Sequence, residues 1–371
     1  MKNHEKFMKK CLDLAILGLK KTLTNPLVGC VIVKNGKIIA TGYHEKYGGP
    51  HAEVNAIKNL KNQYPKNYKQ ILSDSNLYVN LEPCAHFGKT PPCVELLLKY
   101  QIKKVIIGTL DPFKEVKGKS IEKLKKHTQV IVGVLPEECR KINYNYFINH
   151  EHKRPYIILK WAESKDGFIN NLKKGSTKIS CPESTILSHK WRSQVDGIMV
   201  GTNTVTCDNP ELTTRKYPGK NPIRITIDRN NKLDSKDWNI KNKLSKTIIL
   251  NEKENKVEKN ITYLNYLNNG ISNNSTNTEK LKNMMNMLYK NEIKSILIEG
   301  GAIIIQNMIT LNLWDEARCF RSEKKITKGI KGPVLNCLKN AKKINSGNDV
   351  LLILYNNLFI KNNHSKGRSL I

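Results

Sequence analysis

The sequence predicts two α/β domains in tandem, and three observations predict it. The 371 residues exceed what one hydrophobic core serves, since chains divide into separate cores beyond about 250–300 residues. Apolar runs of strand length alternate with stretches of helical period along nearly the whole chain, the signature of sheets covered by helices. The alternation breaks at the polar stretch His150-Glu151-His152-Lys153-Arg154 before Pro155, which places one domain at 1–150 and a second at 154–371.

In the first part, Phe7, Met8, Cys11, Leu14, Ala15 and Leu19 recur at helical spacing, predicting an amphipathic helix over 4–20. The run Val28–Val33, the dipeptide Asn35-Gly36 and the segment Lys37–Tyr43 read as a hairpin with a tight two-residue turn. Val54, Ala56, Ile57 and Leu60 make 51–60 a helix whose first turn carries His51 and Glu53. Leu77–Leu81 is a strand. Pro83, suited to a first helical position, predicts that Cys84 sits at a helix N-terminus. Cys93 opens another helix, followed by strand 104–108, helix 120–127, strand 130–134 and one helix over 136–148.

The second part starts with strand Tyr156–Trp161 and continues with helix 182–194 and strands 197–201, 223–228 and 247–250. Helix 279–289, strand 295–299, helix 302–311, a strand near 316–321 and a closing hairpin over 351–360 complete it. The Asn-rich segment 251–278 reads as a variable, mobile excursion rather than a third domain.

The formal charge of +31 would suit a polyanion. Lysine is matched by asparagine spread over every loop, however, so the charge reads as composition and no nucleic-acid partner is expected. Nine cysteines and an N-terminus without an apolar signal core point to a reducing cytoplasm, with thiols free or on metal. No run approaches the roughly 18 apolar residues of a membrane span, and a homo-oligomer is left open.

The chemistry concentrates in His51-Ala52-Glu53 and Pro83-Cys84 with Cys93. One imidazole and two thiolates are three ligands for Zn2+, leaving the fourth position for water. Residues two apart on a helix diverge by roughly half a turn, so His51 and Glu53 cannot both face the ion, and Glu53 is free to carry protons. This is the pattern of a zinc deaminase. A purely structural zinc site would close with a fourth Cys or His, and none stands at close spacing.

Ordinary cytidine and tRNA-adenosine deaminases have two residues between the paired cysteines, whereas eight separate Cys84 from Cys93. That loop, with Asn25-Pro26-Leu27-Val28-Gly29 and Gly42-Tyr43-His44, closely resembles the bifunctional pyrimidine deaminase/reductase family of riboflavin biosynthesis. The resemblance implies a cytidine-deaminase-like three-layer α/β/α domain. Its substrate would be 2,5-diamino-6-(5-phosphoribosylamino)pyrimidin-4-one, hydrolysed at the 2-amino group. It also implies substrate contacts from Asn25, His44, His86 and Lys89. Two residues depart from the family: Ala85 stands for a usual Ser, and Phe113 for the Asn after Asp-Pro, which removes a polar contact.

In the second part the segments Tyr156–Gly167, Gly201-Thr202-Asn203-Thr204, Asp208-Asn209-Pro210-Glu211-Leu212-Thr213, Pro222-Ile223-Arg224-Ile225 and Glu299-Gly300-Gly301 resemble the reductase half of the same family. The implied fold is dihydrofolate-reductase-like, the implied cofactor NADPH, and the implied reaction hydride transfer that opens the ribosyl group to ribityl. Ser176, Arg192, Leu212, Arg215 and Glu299 match substrate contacts, with the two arginines suited to bidentate phosphate capture. Glu163, Lys178, Thr204, Asp208, Gly301 and Ala302 match cofactor contacts. Lys178 occupies the place of a family Trp, exchanging a stacking surface for a charge. The competing expectations are a nucleic-acid base deaminase with a basic binding domain, against which the eight-residue spacing argues, and a zinc-stabilised scaffold with neither activity.

Overall fold

A computed structural model describes residues 2–356 apart from 20, 23, 88–90, 173–174, 176, 236 and 269. The chain divides into two compact units, Met1–Lys153 and Arg154–Ile371.

The first unit runs α1 (Lys2–Ile16), β1 (Gly29–Lys34), β2 (Lys37–Tyr43), α2 (Ala52–Gln63), α3 (Tyr68–Ser73), β3 (Asn76–Leu81), α4 (Cys93–Lys99), β4 (Lys104–Thr109), α5 (Lys119–Lys125), β5 (Gln129–Val132), α6 (Pro136–Ile142) and α7 (Tyr144–His152). Its sheet has the order β2-β1-β3-β4-β5. The β1 strand lies antiparallel to both β2 and β3, while β3, β4 and β5 are parallel. Asn35 and Gly36 turn at φ 49° and 72°, the two left-handed residues that a two-residue hairpin of right-handed twist requires.

Alternation along the strands divides the core in two. Cys30, Ile32, Leu77, Val79, Val105 and Ile107 face a layer containing Ala56, Leu60, Leu97 and Leu124, from α2, α4 and α5. Val31, Val33, Tyr78 and Ile106 face Met8, Cys11 and Cys139 on the other side, from α1 and α6. The result is the expected three-layer α/β/α arrangement.

Three local expectations fail. The first helix stops at Ile16 and continues only as turns through Leu19. Pro83 and Cys84 are irregular, and the helix with a free N-terminus near the two thiols is α4, which begins at Cys93. The stretch expected as one helix over 136–148 is two, separated at Asn143. There the side chain turns away from helical work: Asn143 Nδ2 donates to the Leu27 carbonyl at 2.9 Å, and Oδ1 accepts from Leu27 N–H at 2.7 Å.

The second unit contains β6 (Tyr156–Glu163), β7 (Phe168–Asn171), α8 (Pro182–Arg192), β8 (Gly197–Gly201), α9 (Thr202–Asp208), β9 (Ile223–Ile227), β10 (Thr247–Asn251), β11 (Lys256–Glu258), β12 (Ile261–Asn265), α10 (Asn277–Lys290), β13 (Ser295–Glu299), α11 (Ala302–Thr310), β14 (Glu316–Ser322), β15 (Gly329–Lys331), β16 (Lys342–Ser346) and β17 (Asp349–Tyr355). Ten strands form one sheet in the order β11-β12-β10-β9-β8-β13-β6-β14-β17-β16. From β12 to β14 every pair is parallel, and antiparallel strands close both edges. The parallel strands Ile296–Ile298 and Ile157–Leu159 are apolar nearly throughout, as strands covered on both faces must be.

The Asn-rich segment is not an excursion. It holds β11 and β12, and β12 extends the sheet in parallel register, Thr247 opposite Ile261 through Asn251 opposite Asn265. The asparagines satisfy backbone groups at its turns. Asn251 Oδ1 accepts from Lys253 and Glu254 N–H at 2.7 and 2.8 Å, and Asn265 Oδ1 from Leu267 N–H at 2.8 Å. Such Asx turns look like polar linker in composition while they fix a backbone. The closing hairpin also lies earlier than expected, spanning Lys342–Tyr355 with Gly347 at the turn; residues 357–360 lie outside the described residues.

Tyr266, just past β12, has no exposed surface and donates its hydroxyl to Glu252 Oε1 at 2.6 Å. Tyr266→Ala is expected to destabilise the chain by roughly 3 kcal/mol or more, read as a fall in the urea or thermal midpoint. A solvated excursion would give no change.

Candidate active sites

His51 is the N-cap of α2 in extended conformation, Cys84 lies just beyond β3, and Cys93 is the first residue of α4. His51 Nδ1 is 3.4 Å from Cys84 Sγ and 3.3 Å from Cys93 Sγ, and the three donor atoms all lie within 4.8 Å of one another. Tetrahedral zinc with bonds of about 2.0–2.3 Å sets nitrogen and sulfur ligands roughly 3.6 Å apart, so this donor set fits the ion. Cys93 N–H donates to Cys84 Sγ at 3.2 Å. Hydrogen bonds from Cys93 and His51 hold the Cys84 thiol well below its ordinary range, against the effect of burial. The helix start expected at Cys84 thus lies at Cys93, whose side chain and amide both face the Cys84 thiol.

Glu53 lies one residue into α2 and is 3 % exposed. Burial pushes its carboxyl above the usual range, and the neighbouring His51 opposes that rise. A buried carboxyl beside the ligands, outside the ligand set, suits proton transfer.

Asn25 and His44 meet. His44 Nδ1 lies 3.0 Å from the Pro50 carbonyl, which can only accept, so Nδ1 carries the proton and Nε2 accepts from Asn25 Nδ2 at 3.1 Å. The His44 ring stands edge to face on His51, with centroids 5.5 Å apart. The preceding loop is gripped at Leu27: Asn80 Nδ2 donates to its carbonyl at 3.0 Å alongside Asn143. Glu82 organises the other wall. Its Oε2 accepts from Asp111 and Gly118 N–H at 3.2 and 3.0 Å, and its Oε1 from the Ser120 hydroxyl at 2.6 Å. Sequence reasoning missed Asn80, Glu82 and Asn143. A buried polar residue at a strand end or between two helical patterns was the available signal.

His86 packs against Phe113 with ring centroids 5.3 Å apart, and Phe113 packs in turn on His150 at 5.2 Å. The ring of Phe113 thus stands between two imidazoles. Ala85 packs at the margin of the core. Lys89 lies outside the described residues.

The second site opens at the carboxyl ends of adjacent parallel strands, where sheets of this type bind ligands. Glu299, last in β13, is 6 % exposed. Arg192, at the end of α8, donates Nε and Nη2 to its two carboxylate oxygens at 2.8 Å each, and Nη1 to the Thr213 carbonyl at 3.0 Å. Lys160 Nζ stands 3.6 Å from Glu299. Burial would raise the Glu299 carboxyl, but the Arg192 and Lys160 charges outweigh it and hold it at about 2.

Three of the five N–H donors of Arg192 are engaged within the protein, two by Glu299 and one by Thr213. Arg215 is half-exposed and 3.3 Å from Glu211. Leu212 is buried with φ 56°. Lys160 was missed because a lone lysine in an apolar strand gives no pattern.

Glu299 is followed by Gly300 and Gly301 at φ 65° and 58°, conformations that disfavour any side chain, and α11 starts at Ala302. A Cβ on Gly301 would come within 3.1 Å of Thr204 Oγ1. Bare backbone at the start of a nine-residue helix, beside a hydroxyl, is a fitting cradle for a cofactor phosphate. Asp208 ends α9 and is exposed. Glu163 is clasped by Trp161 Nε1 at 3.0 Å and by Arg321 Nε at 2.9 Å. Lys178 is exposed, its carbonyl accepting from Lys324 Nζ at 3.1 Å. Ser176 lies outside the described residues.

Fold and sites together define a zinc-dependent nucleobase-type deaminase joined to a reductase. Residues 1–109 match the cytidine and deoxycytidylate deaminase zinc-binding region, and residues 155–322 match the RibD C-terminal domain. The chain is 35% identical over 326 residues to the riboflavin biosynthesis protein RibD of Aquifex aeolicus, covering 87% of this chain and 88% of the relative. Among solved structures, the Thermotoga maritima diaminohydroxyphosphoribosylaminopyrimidine deaminase/5-amino-6-(5-phosphoribosylamino)uracil reductase is 33% identical, with TM-score 0.74 over 95% of this chain and 99% of that one. Acinetobacter baumannii RibD is 26% identical, with TM-score 0.74 and the same coverage. The chain belongs to the RibD family, the bifunctional deaminase/reductases of riboflavin biosynthesis, whose two halves use zinc and NADPH.

Removing the Glu299 charge would leave Arg192 and Lys160 buried without it. Glu299→Gln is expected to cost about 3 kcal/mol at neutral pH. Because the folded carboxyl is depressed, its contribution is complete above the unfolded value near 4.5 and disappears as pH falls towards about 2. Unfolding curves of wild type and variant should therefore converge on acidification; a constant gap across that window would show that the charge is not the cause.

Proposed function

We propose that residues 1–150 hydrolyse the 2-amino group of 2,5-diamino-6-(5-phosphoribosylamino)pyrimidin-4-one, and that residues 154–371 reduce the product with NADPH to 5-amino-6-(5-phosphoribitylamino)uracil. The observation that carries this reading is the donor triad of His51, Cys84 and Cys93 beside the buried, uncoordinated Glu53, in a chain whose other unit matches the RibD C-terminal domain.

When bound, zinc lowers the pKa of a water to about 7 and so supplies a nucleophile at neutral pH. His51, Cys84 and Cys93 would hold the ion. Glu53 would relay both protons of the attacking water in turn, the first to the ring nitrogen and the second to the amino group that leaves as ammonia, a shuttle suited to a carboxyl whose pKa burial has raised. Asn25 and His44 form one polar wall of the pocket, with the Asn25 amide oriented by the neutral His44. His86 and Lys89 take the phosphate.

In the reductase, NADPH supplies the hydride. Gly301, Ala302 and Thr204 receive its phosphates, with Glu163, Lys178 and Asp208 as further cofactor contacts. Glu299 and Arg192 act as one fixed pair towards the substrate, Ser176 is a further contact, Leu212 meets the substrate side through its backbone, and Arg215 is a half-exposed cation for the substrate phosphate. The partner is this small phosphorylated pyrimidine, without nucleic acid or membrane, in the cytoplasm. No helix among the described residues is long and apolar enough to cross a membrane.

Two measurements test the reading. With the diaminopyrimidinone ribosyl phosphate, purified chain should release ammonia without NADPH and consume NADPH only afterwards. Ammonia without NADPH consumption would remove the reductase assignment and make Lys178 the first suspect. Glu53→Gln should retain zinc, measured by metal analysis, while ammonia release falls by about 10²–10⁴-fold; normal deamination by this variant would refute the role given to Glu53.

A further inference from the structure

Leu212 holds φ at 56° while its side chain is 3 % exposed, packed among Ile198, Val200, Val205 and Leu233. A left-handed backbone crowds Cβ against the carbonyl, and such residues persist where the surroundings over-determine them. Here the buried side chain is the anchor. Its effect is visible one residue on, where the Thr213 carbonyl turns towards α8 and accepts from Arg192 Nη1 at 3.0 Å. Past the turn, Thr214 N–H and its hydroxyl both donate to Asn221 Oδ1 at 2.9 Å, so the segment is tied down on that side as well.

A bidentate arginine–carboxylate pair fixes the two groups in one plane but leaves rocking about their common axis soft. An acceptor outside the pair stops that motion. The Thr213 carbonyl is such an acceptor, and it reaches Arg192 only while Leu212 keeps its left-handed turn.

We infer that Leu212 is a positioning residue of the reductase site: its anchored left-handed turn delivers the Thr213 carbonyl to Arg192 and thereby fixes the guanidinium that Glu299 shares. The inference rests on the reductase reading of the second unit. It implies that backbone conformation at 212, rather than apolar contact with substrate, is what the site needs from this position.

The test compares Leu212→Gly with Leu212→Ala in the full chain, following KM and kcat for the deaminated intermediate with NADPH. Ammonia release by the first unit is the internal control, and thermal unfolding measures stability. Both variants lose the anchor, but only alanine keeps the Cβ that opposes the turn. Leu212→Ala is therefore expected to raise KM about tenfold and Leu212→Gly no more than about threefold, with kcat changing less than KM in each. A packing or contact role predicts the reverse order, since alanine retains more side chain. Equal KM values, or a higher one for glycine, overturn the inference.

If these cavities prevent folding, Leu212→Met and Leu212→Ile keep the volume. The β-branched isoleucine, which tolerates φ > 0 least, should then show the higher KM, and equality again overturns the inference. A wild-type chain that consumes no NADPH overturns the reductase reading and this inference with it. Wild-type consumption with the wrong variant order overturns the inference alone.

Discussion

The first site depends on how closely α2 lies against β2. A Cβ on Gly42 would stand 2.3 Å from Ala56 N and 2.5 Å from the Ala52 carbonyl, distances that no side chain can occupy. Only glycine lets the first turn of α2 rest on the strand. That contact sets where His51 and Glu53 stand relative to the end of β3, and so whether an imidazole and two thiols can share one ion. The other side of the site is set by polar groups: Glu82 gathers the loop after β4, while Asn80 and Asn143 hold the Leu27 peptide. Each of these side chains is buried and pairs with backbone. The rigidity of the site therefore comes from groups that would be costly to leave unsatisfied.

Both units place their chemistry at the carboxyl ends of parallel strands. In the first, β3 and β4 run parallel and lead into Glu82-Pro83-Cys84 and into Asp111. In the second, β8, β13 and β6 lead into Thr202, Gly300 and Ser164. Loops that leave neighbouring strands in the same direction converge, so residues far apart in sequence meet without long side chains having to reach. Arg192, at the end of α8, and Glu299, last in β13, meet across 107 residues of chain.

The candidate metal site was legible because its residue types have few other uses at that spacing, and helical periodicity alone separated His51, which joins the donor cluster, from Glu53, which stays outside it. The fold class was legible from alternation. What stayed hidden were residues whose work is conformational. Asn143 broke a helix because its amide serves Leu27, and asparagines in the 251–278 segment capped turns of a strand pair while their composition suggested solvent. Arg192 and Glu299 were both recognisable as candidate site residues, but their pairing was not, since sequence spacing says nothing about which helix end a strand-end carboxylate meets. Leu212 offers no sequence signal for positive φ at all, because leucine is among the residues for which that conformation is least expected.

Two buried glutamates illustrate how environment assigns different tasks to the same side chain. Glu53 and Glu299 are 3 % and 6 % exposed, so desolvation presses both towards the neutral form. At Glu53 the opposing influence is His51, and the carboxyl remains above its usual range. At Glu299 two cations outweigh burial and hold it at about 2, which fixes the charge over the whole physiological range. A proton carrier with the surroundings of Glu299 would stay charged at neutral pH, and an anchor with those of Glu53 would give up its charge more readily. The separation of the two environments into two units, each with its own core, lets one chain keep a labile carboxyl and a permanent carboxylate without either compromising the other.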